Sequence, residues 1–160
     1  MNPRVELFNL IGVLARRRFQ EGERAFASLG LNHTEARLLT LLTEHKGEAK
    51  QDVLSAMVHV DRSNVGRALK GLEQKRLVSR SKDNDNGKTY LVTLTERGRE
   101  ATKQLVGLRE EMAMRLFGSL TEEEASAAFS LLQNCAAAPS SASTGGHSDG
   151  GDDHAEKEAN

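Results

Sequence analysis

Between residues 62 and 70 the chain sets Arg62, Ser63, Asn64, Gly66, Arg67 and Lys70 among the apolar residues Val65, Ala68 and Leu69. Wound as a helix with its apolar residues inward, this segment presents its cationic and amide side chains on one outer face. Arginine pairs bidentately with guanine and asparagine with adenine, whereas Ser63 and Lys70 suit phosphate oxygens. Gly66 presents bare backbone and permits close approach, at a cost of about 1 kcal/mol relative to Ala in a helix interior. The same residues also describe a solvated helix face without a partner, so the flanking elements decide between the two readings.

A short helix from about Lys50 to Val58 is expected before this segment, which itself runs from about Arg62 to Lys75. With Leu54, Val58, Val65, Ala68, Leu69 and Leu72 inward, the pair reads as a helix-turn-helix. Leu77–Lys82 and Lys88–Thr95 follow as β-rich runs, the second alternating Tyr90 and Val92 against Leu91 and Thr93. Between them Asp83-Asn84-Asp85-Asn86-Gly87 is dense in turn residues, and Asn-Gly is a strong hairpin signal. Lys82 and Lys88 flank that turn, where they can reach a minor groove or the neighbouring phosphates. A helix-turn-helix followed by a basic-flanked hairpin is more specific than either part.

Upstream, a helix from about Pro3 to Ser28 carries Leu7, Leu10, Ile11, Leu14, Phe19 and Phe26, and Gly30 stops it. Asn32 then caps a second helix, with Glu35 placed to bond back, and Gly47 closes it. Downstream, Thr95 or Glu96 opens a long helix striped with Ala101, Leu105, Leu108, Met112 and Leu116. Thr121 and Glu124 repeat the cap logic for a last helix carrying Ala125, Ala128, Phe129, Leu132 and Cys135. The expected fold is mainly α with a small β-hairpin wing: a winged helix-turn-helix domain plus N- and C-terminal dimerisation helices. Residues 1–138 would form the protomer, with about 32–95 as its partner-binding region and 3–28 and 96–136 as dimerisation helices.

The formal net charge of −1 hides an uneven distribution. From Lys50 to Arg99 eleven Lys and Arg face six Asp and Glu, whereas from Ala137 onward five acidic residues face one Lys. Residues 139–160, rich in Ala, Ser, Gly, Asp and Glu, cannot offset chain entropy by burial and are expected to be a disordered acidic tail. A single cysteine, Cys135, and the lack of a signal pattern or long apolar run indicate a cytoplasmic chain with no membrane partner. There is no Gly-rich phosphate loop, nucleophile elbow or metal-ligand cluster, so an enzyme is not expected, nor a cofactor or bound metal.

Asp61-Arg62-Ser63-Asn64-Val65, Leu72-Glu73-Gln74-Lys75-Arg76-Leu77-Val78-Ser79-Arg80 and Leu94-Thr95-Glu96-Arg97-Gly98 together resemble the signature of the MarR family. The resemblance is close over about Leu31–Arg99 and extends to the flanking helices in arrangement only. It implies an α1-α2-α3-α4-β-β-α5-α6 protomer that dimerises through its terminal helices, binds a pseudo-palindromic operator in double-stranded DNA, usually as a repressor, and is released by a small-molecule or other effector. The candidate DNA-contacting set is Arg62, Ser63, Asn64, Gly66, Arg67, Lys70, Arg80, Lys82 and Lys88.

Two departures stand out. Where the family carries Asp-x-Arg at the wing this chain has Asn86-Gly87-Lys88, which keeps the charge and loses the planar fork of arginine. Where the family has Gly before Leu-Val it has Arg76, which costs on the order of 1 kcal/mol if the backbone there is left-handed.

The apolar stripes of the first and last two helices have little core of their own to face, and a second copy of the chain would cover them. An effector pocket with aromatic walls would draw on Phe8, Phe19 or Tyr90. Cys135 reads as a small buried hydrophobe rather than a redox sensor. His33, Glu44 and His45 resemble part of the metal site of zinc-sensing relatives, without its later His pair. A winged helix used only for protein contacts and a metal- or redox-responsive regulator remain the alternatives.

Overall fold

The computed structural model describes residues 2–58, 62–82 and 89–137, with only the backbone for residue 62. Met1–Leu120 forms one compact unit and Thr121–Asn160 a second. The hairpin turn, Lys88 and the acidic tail lie outside the described residues.

Helix α1 (Pro3–Ala27) starts where Asn2 accepts the Arg4 amide and Pro3 fills the first helical position, whose amide would be unpaired in any case. It ends in a turn where Gly30 takes φ +66° and the Leu31 amide donates to the Phe26 carbonyl. Helix α2 (His33–Glu44) opens with the expected capping box between Asn32 and Glu35. Helices α3 (Gln51–Val58) and α4 (Arg62–Gln74) form the two-helix motif. Strands β2 (Val78–Lys82) and β3 (Tyr90–Leu94) pair antiparallel, with Val78 opposite Leu94 and Lys82 opposite Tyr90. Helix α5 (Glu96–Phe117) is capped by Thr95.

Leu38, Leu39, Leu41 and Leu42 of α2 are fully buried and meet Leu54, Val65, Leu69, Leu72 and Val92, so α2 is the centre on which the motif and the sheet are built. Along β3 the buried residues are Val92 and Leu94, whereas Tyr90 is exposed and Leu91 and Thr93 are half-buried. The inward face is thus the even-numbered one only after Tyr90. α1 packs along α5, where Arg115 reaches Glu21 at 3.2 Å.

One strand went unanticipated. β1 (Glu48–Lys50) pairs with the far edge of β3, giving a three-stranded sheet of order β1-β3-β2. Lys50 is therefore the end of a strand rather than the start of the helix. Three residues are too short for a readable alternation, and it is the open edge of β3 that makes them a strand.

The α4–β2 link is tight. Arg76 adopts φ 59°, closing α4 with the Leu77 amide on the Leu72 carbonyl, as the sequence suggested for a residue standing in a glycine position. Gly98 lies directly against this turn, since a Cβ there would fall 2.0 Å from the Leu77 carbonyl oxygen.

In the second unit, helix α6 (Glu122–Ala137) is capped reciprocally by Thr121 and Glu124 and buries none of its residues. Cys135, expected to be buried, is exposed in the single chain. Phe129, Leu131 and Leu132 of the same helix are exposed as well.

Candidate nucleic-acid interface

Val65, Ala68, Leu69 and Leu72 anchor α4 to the core, which fixes its opposite face outward. Ser63, Asn64, Arg67 and Lys70 are exposed there and Gly66 is half-buried. The helix thus sorts these five candidates onto its outer side, as its apolar spacing requires. Arg62 is the first residue of the helix, and its side chain lies outside the described residues.

The Arg67 guanidinium donates to Asn64 Oδ1 at 2.5 Å. An i, i+3 bond of this kind holds the two side chains together along the outer face. Among the described residues, the helix's own backbone aside, no heavy atom lies within 4 Å of a Cβ built on Gly66, so packing there does not call for glycine. The outer face carries Arg67 and Lys70, and the next acid along α4, Glu73, is already bonded to Arg80.

Lys82 ends β2 as an exposed side chain, opposite Tyr90 of β3. Lys88 lies outside the described residues. Arg80 differs from the rest of the candidate set. Its Nε and Nη2 donate to Glu73 Oε2 at 3.0 and 2.7 Å, and its guanidinium lies 5.3 Å from the Tyr90 ring centroid.

Sequence reasoning also missed the tie that holds α4 from behind. Glu35, already the capping residue of α2, is almost fully buried and accepts Lys75 Nζ on both oxygens at 2.7 and 2.6 Å. Gly71 makes room for it, because a Cβ there would fall 2.6 Å from Glu35 Oε1. The Glu35–Asn32 capping signal was visible, whereas a partner 40 residues away was not.

A cavity of about 630 Å³ opens between α1, α2 and α5 in the first unit. Phe19, Phe26 and His33 line one side, and Arg18, Arg37 and Arg109 are its charged lining residues, with no carboxylate among them. His33 stacks on Phe19 with centroids 4.0 Å apart, and its Nε2 donates to the Phe19 carbonyl at 3.0 Å. Of the three aromatics expected to line such a site, Phe19 does, whereas Phe8 and Tyr90 do not. His45 spends Nδ1 on the Leu41 carbonyl. Among the described residues no three His, Cys, Asp or Glu stand close enough to hold a metal ion. No helix among them is long and apolar enough to cross a membrane.

Residues 31–90 match the MarR family. The chain is 33% identical over 103 residues to the uncharacterized HTH-type transcriptional regulator YdgJ of Bacillus subtilis, a match covering 64% of this chain and 62% of that relative. It is 31% identical over 94 residues to the uncharacterized HTH-type transcriptional regulator YwhA of the same organism, covering 59% of this chain and 67% of the relative. Its fold is similar to that of a MarR crystal structure, with TM-score 0.71 and 25% identity over 81% of this chain and 94% of the other, and to that of a mutant MarR from E. coli complexed with operator DNA, with TM-score 0.71 and 21% identity over 84% of this chain and 96% of the other.

Proposed function

The chain belongs to the MarR family and is a transcriptional regulator rather than an enzyme, and from that premise we propose that it binds a pseudo-palindromic operator as a homodimer, represses, and is released by a small-molecule effector. One observation carries the DNA-binding part: α4 turns Ser63, Asn64, Arg67 and Lys70 to solvent on a face free of large apolar side chains. Such a face fits a major groove, where Arg67 and Asn64 read base edges and Ser63 and Lys70 hold phosphates. Arg62 adds to the reading end of the helix, and Lys82 and Lys88 serve the flanking phosphates.

The dimer follows from what one copy leaves uncovered. Val5, Leu7, Phe8, Leu10, Ile11 and Val13 of α1 are exposed, as are Val106, Met114 and Phe117 of α5. So many exposed large apolar side chains on two helices favour an interface, and a second copy related by a two-fold axis would supply the second recognition helix. The cavity between α1, α2 and α5 is where we place such an effector. Its aromatic wall and its three lining arginines, of which Arg37 also lies 4.0 Å from Glu44, favour a small apolar anion.

Selection of bound sites from random duplex DNA tests the reading. A recovered palindrome whose affinity falls steeply as salt rises supports it, because counterion release drives phosphate binding. Salt-insensitive or absent DNA binding would favour a protein-interaction module instead.

A further inference from the structure

Arg80 was grouped with the DNA contacts by sequence, and the geometry points to a different task. We propose that Arg80 and Glu73 form a brace that sets the wing against the recognition helix, which makes Arg80 a positioning residue and not a phosphate contact. The proposal rests on the DNA-binding reading above.

The three-stranded part of the sheet is short. β1 supports β3 only at Leu91, Val92 and Thr93, so at the Lys82–Tyr90 pair the wing has become a two-stranded ribbon. Two-stranded ribbons are marginal by themselves and twist readily. Arg80 itself pairs with Val92, inside the stretch that β1 supports, and its side chain reaches from there to Tyr90 at the two-stranded end. From β2 it bonds Glu73 near the end of α4 and lies over Tyr90, the first residue of β3, so one guanidinium touches all three elements. The planar fork of arginine serves both contacts at once, with its edge on a carboxylate and its face toward a ring.

The alternative carries a specific penalty. Turning Arg80 to a phosphate takes Nε and Nη2 off Glu73, whose carboxylate would then stand unpaired beside an anionic duplex. The Arg80 side chain is only 21% exposed, in keeping with an inward role.

The two roles give opposite signs for one variant. Wild type, Arg80→Gln, Glu73→Gln and the double variant would be titrated against the selected operator over a range of salt, with melting curves to fix the folded fraction. Hydrogen exchange of the β2 and β3 amides would be followed alongside. If the pair is a brace, each single change weakens operator binding about tenfold and the double is no worse than either. The slope of log K against log salt stays at the wild-type value, and wing amides exchange faster in both singles.

A phosphate contact instead predicts that Arg80→Gln lowers the slope by about 0.9 while Glu73→Gln tightens binding, which overturns the proposal. So does a fall in melting temperature with unchanged affinity per folded molecule. If wild type itself binds no duplex, the DNA-binding reading fails, and exchange still decides the brace: faster wing exchange in both singles upholds it, and unchanged exchange rejects it.

Discussion

At the scale of single residues, Gly66 separates folding from function. With open space where its Cβ would be, Gly66→Ala is expected to raise stability by about 0.5–1 kcal/mol. If α4 closes on DNA there, the same methyl group lowers operator affinity, so urea denaturation and DNA titration should move in opposite directions. Arg67→Ala removes a proposed base reader and is expected to reduce specific affinity by about 1–3 kcal/mol, with a smaller loss on random duplex. Lys88→Ala should weaken all sequences alike, which titration against operator and random DNA would show. Residue types on α4 were legible because helical spacing alone sorts inside from outside. Arg80 was not, since its engagement depends on a turn geometry that brings residues seven apart onto facing elements.

At the scale of elements, the orientation of α4 is held by its buried apolar residues and by a polar tie, Lys75–Glu35, whose partners lie far apart in sequence. Lys75→Met would leave the Glu35 carboxylate buried with the Asn32 amide as its remaining described donor. Removing one partner of a buried pair costs about 3–5 kcal/mol, and the partial exposure of Lys75 brings the expectation to about 2–3 kcal/mol. Adding Glu35→Gln should recover part of that loss, which denaturant titration of both variants would measure. Helix boundaries were readable to within a residue or two because Asn32, Thr95 and Thr121 are strong caps and Gly30 and Gly47 strong stops. β1 was not, because Glu48-Ala49-Lys50 carries no pattern of its own and is defined by the edge it pairs with. The left-handed Arg76 shows a third case, in which the position was legible only through the glycine that usually occupies it.

At the scale of the whole molecule, a single chain leaves much apolar surface uncovered. Phe8, at 75% exposed, is the clearest instance. Combined Phe8→Glu and Leu10→Glu changes are expected to lower the solution mass to that of one chain and to weaken operator binding, which light scattering and titration would report together. A wild-type protein that remains a stable monomer at micromolar concentration would refute the dimer. The contact at Gly98 then takes on a wider meaning. Because a Cβ at Gly98 would fall on the Leu77 carbonyl oxygen, glycine there lets α5 start directly against the α4–β2 turn, and in the proposed dimer this joint links the recognition helix to a dimerisation helix. If the proposed dimer forms, that joint helps to set the distance between its two recognition helices, so a Gly98→Ala protein that still folds is expected to prefer operators with altered half-site spacing.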